Sequence, residues 1–391
     1  MADAPLANVR ILDLSRLFPG PQLTKILGDL GAEVIKIESP QAPDTVRHLP
    51  PFTESGQSAA HVALSSGKQS VAINLKQADG RAVLLQMVRR ADVVVESYRP
   101  GVLERLGIAY ATLKQVNPAI ILCSVTGYGQ NGPLRDAPGH DLNYMARAGL
   151  LALGGPAGQA PAVPGVQVAD FAGGALGGVA GVLAALYERT QTGQGRHIDL
   201  AMTRSVAGLG AVALAQRVAG DREPRGAGML TGGRPAYRLY ATADGRFMAL
   251  AALEPKFFAA FCERAGCPHL ADKGWTTGAE GAAVTAELEA LFHTKTQAEW
   301  RALLAGTDAC CEPVQTPEEA LADPELGLAA ANVQGVPVLR ADVGFAVSES
   351  LGPAAQLGAD SENVAAALGV EPELLERARA AGAFGVAGGT T

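Results

Sequence analysis

The chain has 391 residues, of which 48% are hydrophobic and 18% charged, with a formal net charge of -7 at pH 7. That length and composition imply a globular protein with a large core and two or more domains, and exclude a disordered chain. The acidic balance excludes a general nucleic-acid binder, although a local group of Arg and Lys can still receive an anionic ligand.

The N-terminus, Met1-Ala2-Asp3-Ala4-Pro5, lacks the basic-then-apolar order of a secretory leader. The five cysteines, Cys123, Cys262, Cys267, Cys310 and Cys311, include no C-x-x-C pair. Reduced thiols and a cytoplasmic location are therefore expected, with Cys310-Cys311 a packing pair.

Residues 9–14 form a short apolar run, Gly20-Pro21 breaks the chain, 22–30 has helical spacing and 32–37 reads as a second strand. A helix over 80–90 leads to a strand at 93–95, and 113–115 precedes a strand at 120–125. Strands separated by helices imply an α/β fold with a parallel doubly wound sheet. Glu38 stands where a ribose-binding acid of a dinucleotide fold stands. The first turn, however, reads Leu17-Phe18-Pro19-Gly20-Pro21-Gln22, not G-x-G-x-x-G, so no nicotinamide cofactor is expected.

The next stretch carries the chemistry. Pro138-Gly139-His140-Asp141-Leu142-Asn143-Tyr144 supplies a histidine, and Gly165-Val166-Gln167-Val168-Ala169-Asp170 ends in a carboxylate, each beside Gly-rich backbone. Two groups of similar basicity suit a reaction that moves a proton between the two faces of a carbon. Read without context, His140 is equally a hydrogen-bonded loop residue and Asp170 a helix N-cap. Phe171-Ala172-Gly173-Gly174 reads as a helix N-terminus, with free N–H groups for a developing oxyanion and small residues for its approach. The apolar run 171–187 is interrupted by glycines and is expected as a buried helix, not a membrane span. Residues 218–234 look like a loop between domains, 236–250 alternate as strands around Ala243-Asp244-Gly245, and helices follow over 256–319. There, Glu254 before Pro255 is either the opening of a helix or a buried carboxylate that tunes the histidine. The tail holds one expected helix, over 371–380.

Several stretches, taken in order, resemble the class III CoA-transferase family (CaiB/BaiF type). They are Leu12-Asp13-Leu14-Ser15, the run from Leu27 to Glu38, Tyr98-Arg99-Pro100-Gly101-Val102, Thr126-Gly127-Tyr128-Gly129 and Asp244-Gly245-Arg246. Gly139-His140-Asp141 with Glu254-Pro255-Lys256-Phe257 is similar to its α-methylacyl-CoA racemase branch. The resemblance implies an interlocked homodimer that interconverts (R)- and (S)-2-methylacyl-CoA through an enolate, without metal or cofactor. His140 and Asp170 are the implied bases, and Glu254 orients His140 of the partner chain. Coenzyme A carries a 3′-phosphate and a diphosphate, so Lys36, Lys68, Arg99 and Arg105 are its candidate cations, with Gly127 and Tyr128 beside it. The alternative is a CoA-transferase with Asp170 as nucleophile. The implied domains are a large α/β domain over 1–200, a linker over 201–225, a small α+β domain over 226–322 and a return to the large domain over 323–391. Two departures stand out: Gly358-Ala359-Asp360-Ser361 replaces a Gly-x-His-Thr, and Arg204 stands where a carboxylate is usual.

Overall fold

The computed structural model describes residues 4–328, 330–340, 344 and 351–385. Residues 1–3 of the N-terminal stretch read above lie outside them. The chain forms two compact units.

The first unit comprises Met1–Ala148, Gly165–Leu209 and Leu328–Thr391. It opens with β1 (Arg10–Asp13), α1 (Pro19–Asp29), β2 (Glu33–Glu38), α2 (Ala59–Ser65), β3 (Gln69–Ala72), α3 (Ala78–Val88) and β4 (Val93–Glu96). It continues through α4 (Val102–Leu106), α5 (Tyr110–Val116), β5 (Ile121–Thr126) and α6 (Asp141–Arg147). A π-helical stretch, Ala169–Leu176, leads into α7 (Gly177–Thr192), followed by β6 (His197–Ala201) and α8 (Met202–Ala207).

The six strands form one parallel sheet in the order β3-β2-β1-β4-β5-β6. The order reverses between β1 and β4, which opens a crevice at their carboxyl ends. The strands are short, nearly continuous apolar runs because helices cover both faces: β4 and β5 are buried at every position. One core gathers Leu12, Ile35, Val71, Val94 and Leu122 from the sheet with Val83, Met87 and Leu113 from the helices.

The helix Ala169–Thr192 is long and apolar enough to cross a membrane by length and composition. Its glycines give it a different role. A Cβ on Gly178 would stand 2.1 Å from Leu23 Cδ1, and one on Gly174 would stand 2.8 Å from Pro19 Cβ, so the helix lies directly on α1 as a core helix.

The second unit comprises Gly149–Pro164 and Gly210–Gly327. It holds α9 (Ala211–Val218), β7 (Tyr237–Ala241), β8 (Phe247–Ala251), α10 (Pro255–Ala265), α11 (Gly278–Phe292), α12 (Gln297–Leu304), β9 (Cys311–Pro313) and α13 (Pro317–Ala322). The strands form an antiparallel sheet, β7-β8-β9. Its core is aromatic: the Phe292 ring lies 4.7 Å from Tyr240, 5.4 Å from Phe261 and 4.8 Å from Trp300. Cys311 is buried in that core, whereas Cys310 is exposed, so the two do not act as a packing pair.

Residues 201–225, expected as a linker, are largely helical and divided between the units. Met202 and Val206 of α8 are buried in the first, against the glycines of the π-helical stretch. Residues 149–164 belong with the second unit, because the Gly155 and Gly226 backbones pack against each other. The returning chain adds a hairpin, β10 (Ala330–Val333) and β11 (Val336–Leu339), then α14 (Ser361–Ala367) and α15 (Pro372–Ala380). The sequence reading had only the last of these.

Charges are buried beneath the crevice. Asp13, which ends β1, is fully buried; its Oδ1 accepts Ser15 N–H at 3.0 Å, and its Oδ2 accepts Thr24 Oγ1 at 2.7 Å and Lys68 Nζ at 3.1 Å. Lys68 also donates to the Pro21 carbonyl at 2.8 Å, and Lys36 to the Ser15 carbonyl at 3.0 Å and Asp44 Oδ2 at 3.1 Å. Burial by itself raises the Asp13 pKa, but the Lys68 and Lys36 ammonium groups outweigh it and hold the carboxyl below its usual value. Lys36 and Lys68, expected as phosphate-binding cations, are therefore internal ties of the β1–α1 turn. Both are buried and their ammonium groups already have protein partners.

Removing Asp13 leaves the Lys68 ammonium buried without its counter-charge. Asp13→Ala is expected to destabilise the protein by about 3–5 kcal/mol in urea unfolding. A change below about 1 kcal/mol would show that the pair does not hold the turn.

Candidate active site

The crevice at the reversal point is a cleft of about 260 Å³, walled by the segments that leave β1, β4 and β5. Arg16, Leu17 and Pro19 come from the β1–α1 turn, Ser97, Tyr98 and Arg99 from the turn after β4, and Thr126, Gly127 and Tyr128 from the end of β5. His140 and Asp170 line the same cleft. Leu17 adopts a left-handed backbone (φ 63), a strained conformation for a branched residue, with its N–H bonded to Asp44 Oδ1 at 3.1 Å.

His140 is exposed at the start of α6, where its backbone N–H donates to Asn143 Oδ1 at 3.1 Å. The loop before it closes on Tyr144. The Tyr144 hydroxyl donates to the Gly139 carbonyl, and a Cβ on Gly127 or Gly139 would stand 2.4 or 2.7 Å from the Tyr144 ring. Glycine at these two positions thus lets the ring seat between the β5 exit and the histidine loop. Tyr128 meets Tyr144 edge-on, with centroids 5.3 Å apart.

Asp170 sits in the first turn of the π-helical stretch. Its N–H donates to Asp141 Oδ1 at 3.0 Å, and the Phe171 N–H donates to the Gln167 carbonyl at 2.9 Å. The oxyanion role expected of this helix start is therefore not available to those two N–H groups. Gly173 and Gly174, expected to admit substrate, are buried against Met202 and Pro19. The Asp170 carboxyl itself is unusual: burial, and then the neighbouring Asp141 charge, push its pKa up to about 7. It is consequently divided between acid and base forms near neutrality, in the range of an ordinary histidine.

Of the expected cations, Arg99 lines the cleft and Arg105 is exposed beside it. The Arg105 Nη1 and Arg135 Nη2 atoms lie 3.3 and 3.7 Å from the Cβ position of Gly101, whose φ of 81 keeps the turn tight. Glu254, considered above as a buried carboxylate, is exposed at the start of α10 in the second unit. Met202 lines the cleft, whereas Met145 and Met248 are buried core and Met229 is exposed. Arg16, Arg135 and the Asp141 contact were missed. Asp141 lay in the quoted motif, but its partner is 29 residues away.

Asp141→Asn removes the like charge beside Asp170. The Asp170 midpoint, followed by carbon-13 NMR of its carboxyl, is expected to fall below that of the unsubstituted protein. An unchanged midpoint would leave burial as the whole cause.

The chain matches the description CoA-transferase family III over residues 6–337. It is 38% identical over 317 residues to the alpha-methylacyl-CoA racemase of Mus musculus, covering 81% of this chain and 79% of that protein. It is also 38% identical over 270 residues to the succinyl-CoA:glutarate CoA-transferase of Mus musculus, covering 68% and 61%. Among solved structures, a CAIB/BAIF family protein from Brucella suis superposes with a TM-score of 0.81 at 30% identity, covering 94% of this chain and 100% of that one.

Proposed function

This chain belongs to CoA-transferase family III, and from that premise we propose that it is a racemase of 2-methylacyl-CoA thioesters acting by proton transfer. The observation that carries the reading is the pairing of His140 and Asp170 in one cleft, with the Asp170 pKa lifted to about 7. A thioester α-proton is hard to remove at neutral pH, and a base of matched strength on each face makes inversion possible. In one direction Asp170 takes the proton while protonated His140 returns one to the opposite face; the reverse reaction exchanges the roles. Charge on the intermediate enolate is favoured by Arg16, which lines the cleft from the β1–α1 turn.

A second cleft, of about 330 Å³, shares Arg16 and Tyr98 with the first and is lined by Ile37, Ile73, Leu75 and Val102. Two clefts joined at Tyr98 suit a long ligand such as an acyl-CoA, with Arg99, Arg105 and Arg135 near its phosphates. The proposal includes a homodimer in which Glu254 of one copy orients His140 of the other. Exposed apolar residues support an association surface: Leu176 and Tyr187 in the first unit, and Val212, Leu214 and Val218 in the second. A cytoplasmic location remains part of the proposal.

The transferase reading has its own support in the succinyl-CoA:glutarate CoA-transferase relative. There the Asp170 carboxylate attacks the acyl carbon and expels CoA thiolate, leaving a mixed anhydride. The thiolate then attacks the Asp170 carbonyl, releasing the donor acid and leaving an Asp170–CoA thioester. The acceptor carboxylate takes these two steps in reverse to leave as its own CoA thioester with Asp170 regenerated. Incubation in deuterated water with 2-methylacyl-CoA and a free carboxylic acid separates the two. Inversion with α-deuterium uptake supports the racemase; movement of CoA to the acid without uptake overturns it.

His140→Ala and Asp170→Asn are each expected to slow inversion by about 10²–10⁴-fold. Each variant should retain exchange with retention for the epimer whose C–H faces the surviving base, so their epimer preferences are opposite. NMR of each pure epimer in deuterated water reads this directly, and equal loss for both epimers would refute the two-face assignment.

Arg99→Ala and Arg105→Ala are expected to raise KM by about tenfold with little change in kcat, because a remote phosphate contact is made alike in ground and transition states. An unchanged KM in both would remove them from the binding site.

A further inference from the structure

Glu96 ends β4 beneath the turn that separates the two clefts, and it is 2% exposed. The neighbouring buried carboxylates all have cations: Asp13 has Lys68, Asp44 has Lys36, and Glu38 has Arg47 at 2.5 Å. Glu96 has no salt-bridge partner among the described residues. Its Oε2 accepts the Tyr98 N–H at 2.7 Å, and its carboxyl is hydrogen-bonded to the Ser124 side chain on β5. Ser124 Oγ in turn lies 2.9 Å from Nε2 of His197, an exposed residue on β6 whose ring lies 5.4 Å from Tyr110. Among the described residues, the other titratable groups whose charge is coupled to that of Glu96 are Glu104 of α4, Cys123 of β5 and Tyr98 itself. None of them supplies positive charge.

A hydrogen-bonded line therefore runs from His197 at the sheet edge, through Ser124, to a carboxyl under Tyr98. With His197 donating from Nε2, Ser124 donates to Glu96 and Glu96 accepts from the turn. That turn carries Arg99, and Tyr98 walls both clefts. A negative charge on Glu96 is placed behind the surface that receives the phosphates, in a setting where water screens it poorly.

We propose that Glu96 is a positioning residue for the anionic carrier of the substrate. It holds the Tyr98–Arg99 turn through the Tyr98 N–H, and its ionisation, linked to solvent through Ser124 and His197, weakens binding of the carrier. The inference rests on the acyl-CoA reading above. Burial pushes the Glu96 pKa up to about 7, so the group is neutral below that pH and charged above it. The stability linkage has the same origin. Between the ordinary carboxyl pKa and about 7 the folded chain keeps a proton that the unfolded chain has lost, so this group's contribution falls as pH rises through that window.

The test is binding of coenzyme A itself to the full-length protein at pH 6 and 8.5, compared with Glu96→Gln, which keeps an acceptor for the Tyr98 N–H but cannot ionise. Wild-type affinity is expected to fall by about five- to tenfold more than that of the variant across this interval. Ser124→Ala, which removes a hydrogen bond favouring the charged form, should move the midpoint to higher pH. The unsubstituted protein offers an independent reading: bound coenzyme A should raise the Glu96 midpoint, followed by carbon-13 NMR, because the coupling is reciprocal. In thermal unfolding, Glu96→Gln should exceed the wild type at pH 8.5 and match it at pH 4. Equal pH dependence of the two proteins, or a Glu96 midpoint unmoved by coenzyme A, overturns the proposal while leaving the acyl-CoA reading intact. Failure of both proteins to bind coenzyme A at either pH overturns the two together.

Discussion

Asp13 is the constraint on which the cleft depends. Its two oxygens hold Ser15, Thr24 and Lys68 at once, which bends the chain from the end of β1 into α1 over a few residues. Lys36 secures the same turn from β2 through the Ser15 carbonyl. With those ties made, Arg16, Leu17 and Pro19 line the cleft at the reversal point. A buried charge network of this kind contributes little net stability. What it contributes here is a defined path for a turn that lacks the glycines of a dinucleotide-binding loop.

The two groups proposed as bases are set by a different principle, placement in unlike environments. His140 is exposed at a helix start, where solvent leaves the ring accessible. Asp170 lies in a partly buried helical turn beside Asp141, where desolvation and like charge act in the same direction. Together they carry the Asp170 carboxyl up to about 7, well above the usual carboxylate range. Tyr144 is the mechanical counterpart, since its ring and hydroxyl hold the Gly139–His140 loop against the end of β5. Half-buried Asp170 and buried Glu96 are alike in being acids without a salt bridge among the described residues, one lining the cleft and one beneath its Tyr98 wall.

Much of this was legible in the chain. The parallel sheet followed from apolar runs spaced by helical patterns, since strands buried on both faces need no polar alternation. β3 has no strand signature in the sequence because Gln69 and Ser70 interrupt its apolar character, and Ser70 is polar for a tertiary reason: its Oγ accepts the Gly358 N–H of the returning chain. The short α6 helix has little signature in the sequence, because Gly139 and His140 dominate its start. Arg99, Gly127, Tyr128, His140 and Asp170 were found as residues of a motif, and they share one cleft. Lys36 and Lys68 were misjudged because a lysine near a strand end has the same sequence appearance whether it faces a ligand or a buried aspartate.

The sequence by itself determined the fold class, the family and the identities of five residues of the cleft, because hydrophobic period and motif order are local properties. Tertiary structure alone decided which charges are spent internally, which N–H groups are already bonded and how basic Asp170 is. Those properties depend on partners distant in the chain: Asp13 with Lys68, Asp141 with Asp170, Ser124 with His197. A side chain's chemistry is fixed by its type, but its charge state and availability are set by what folding brings against it.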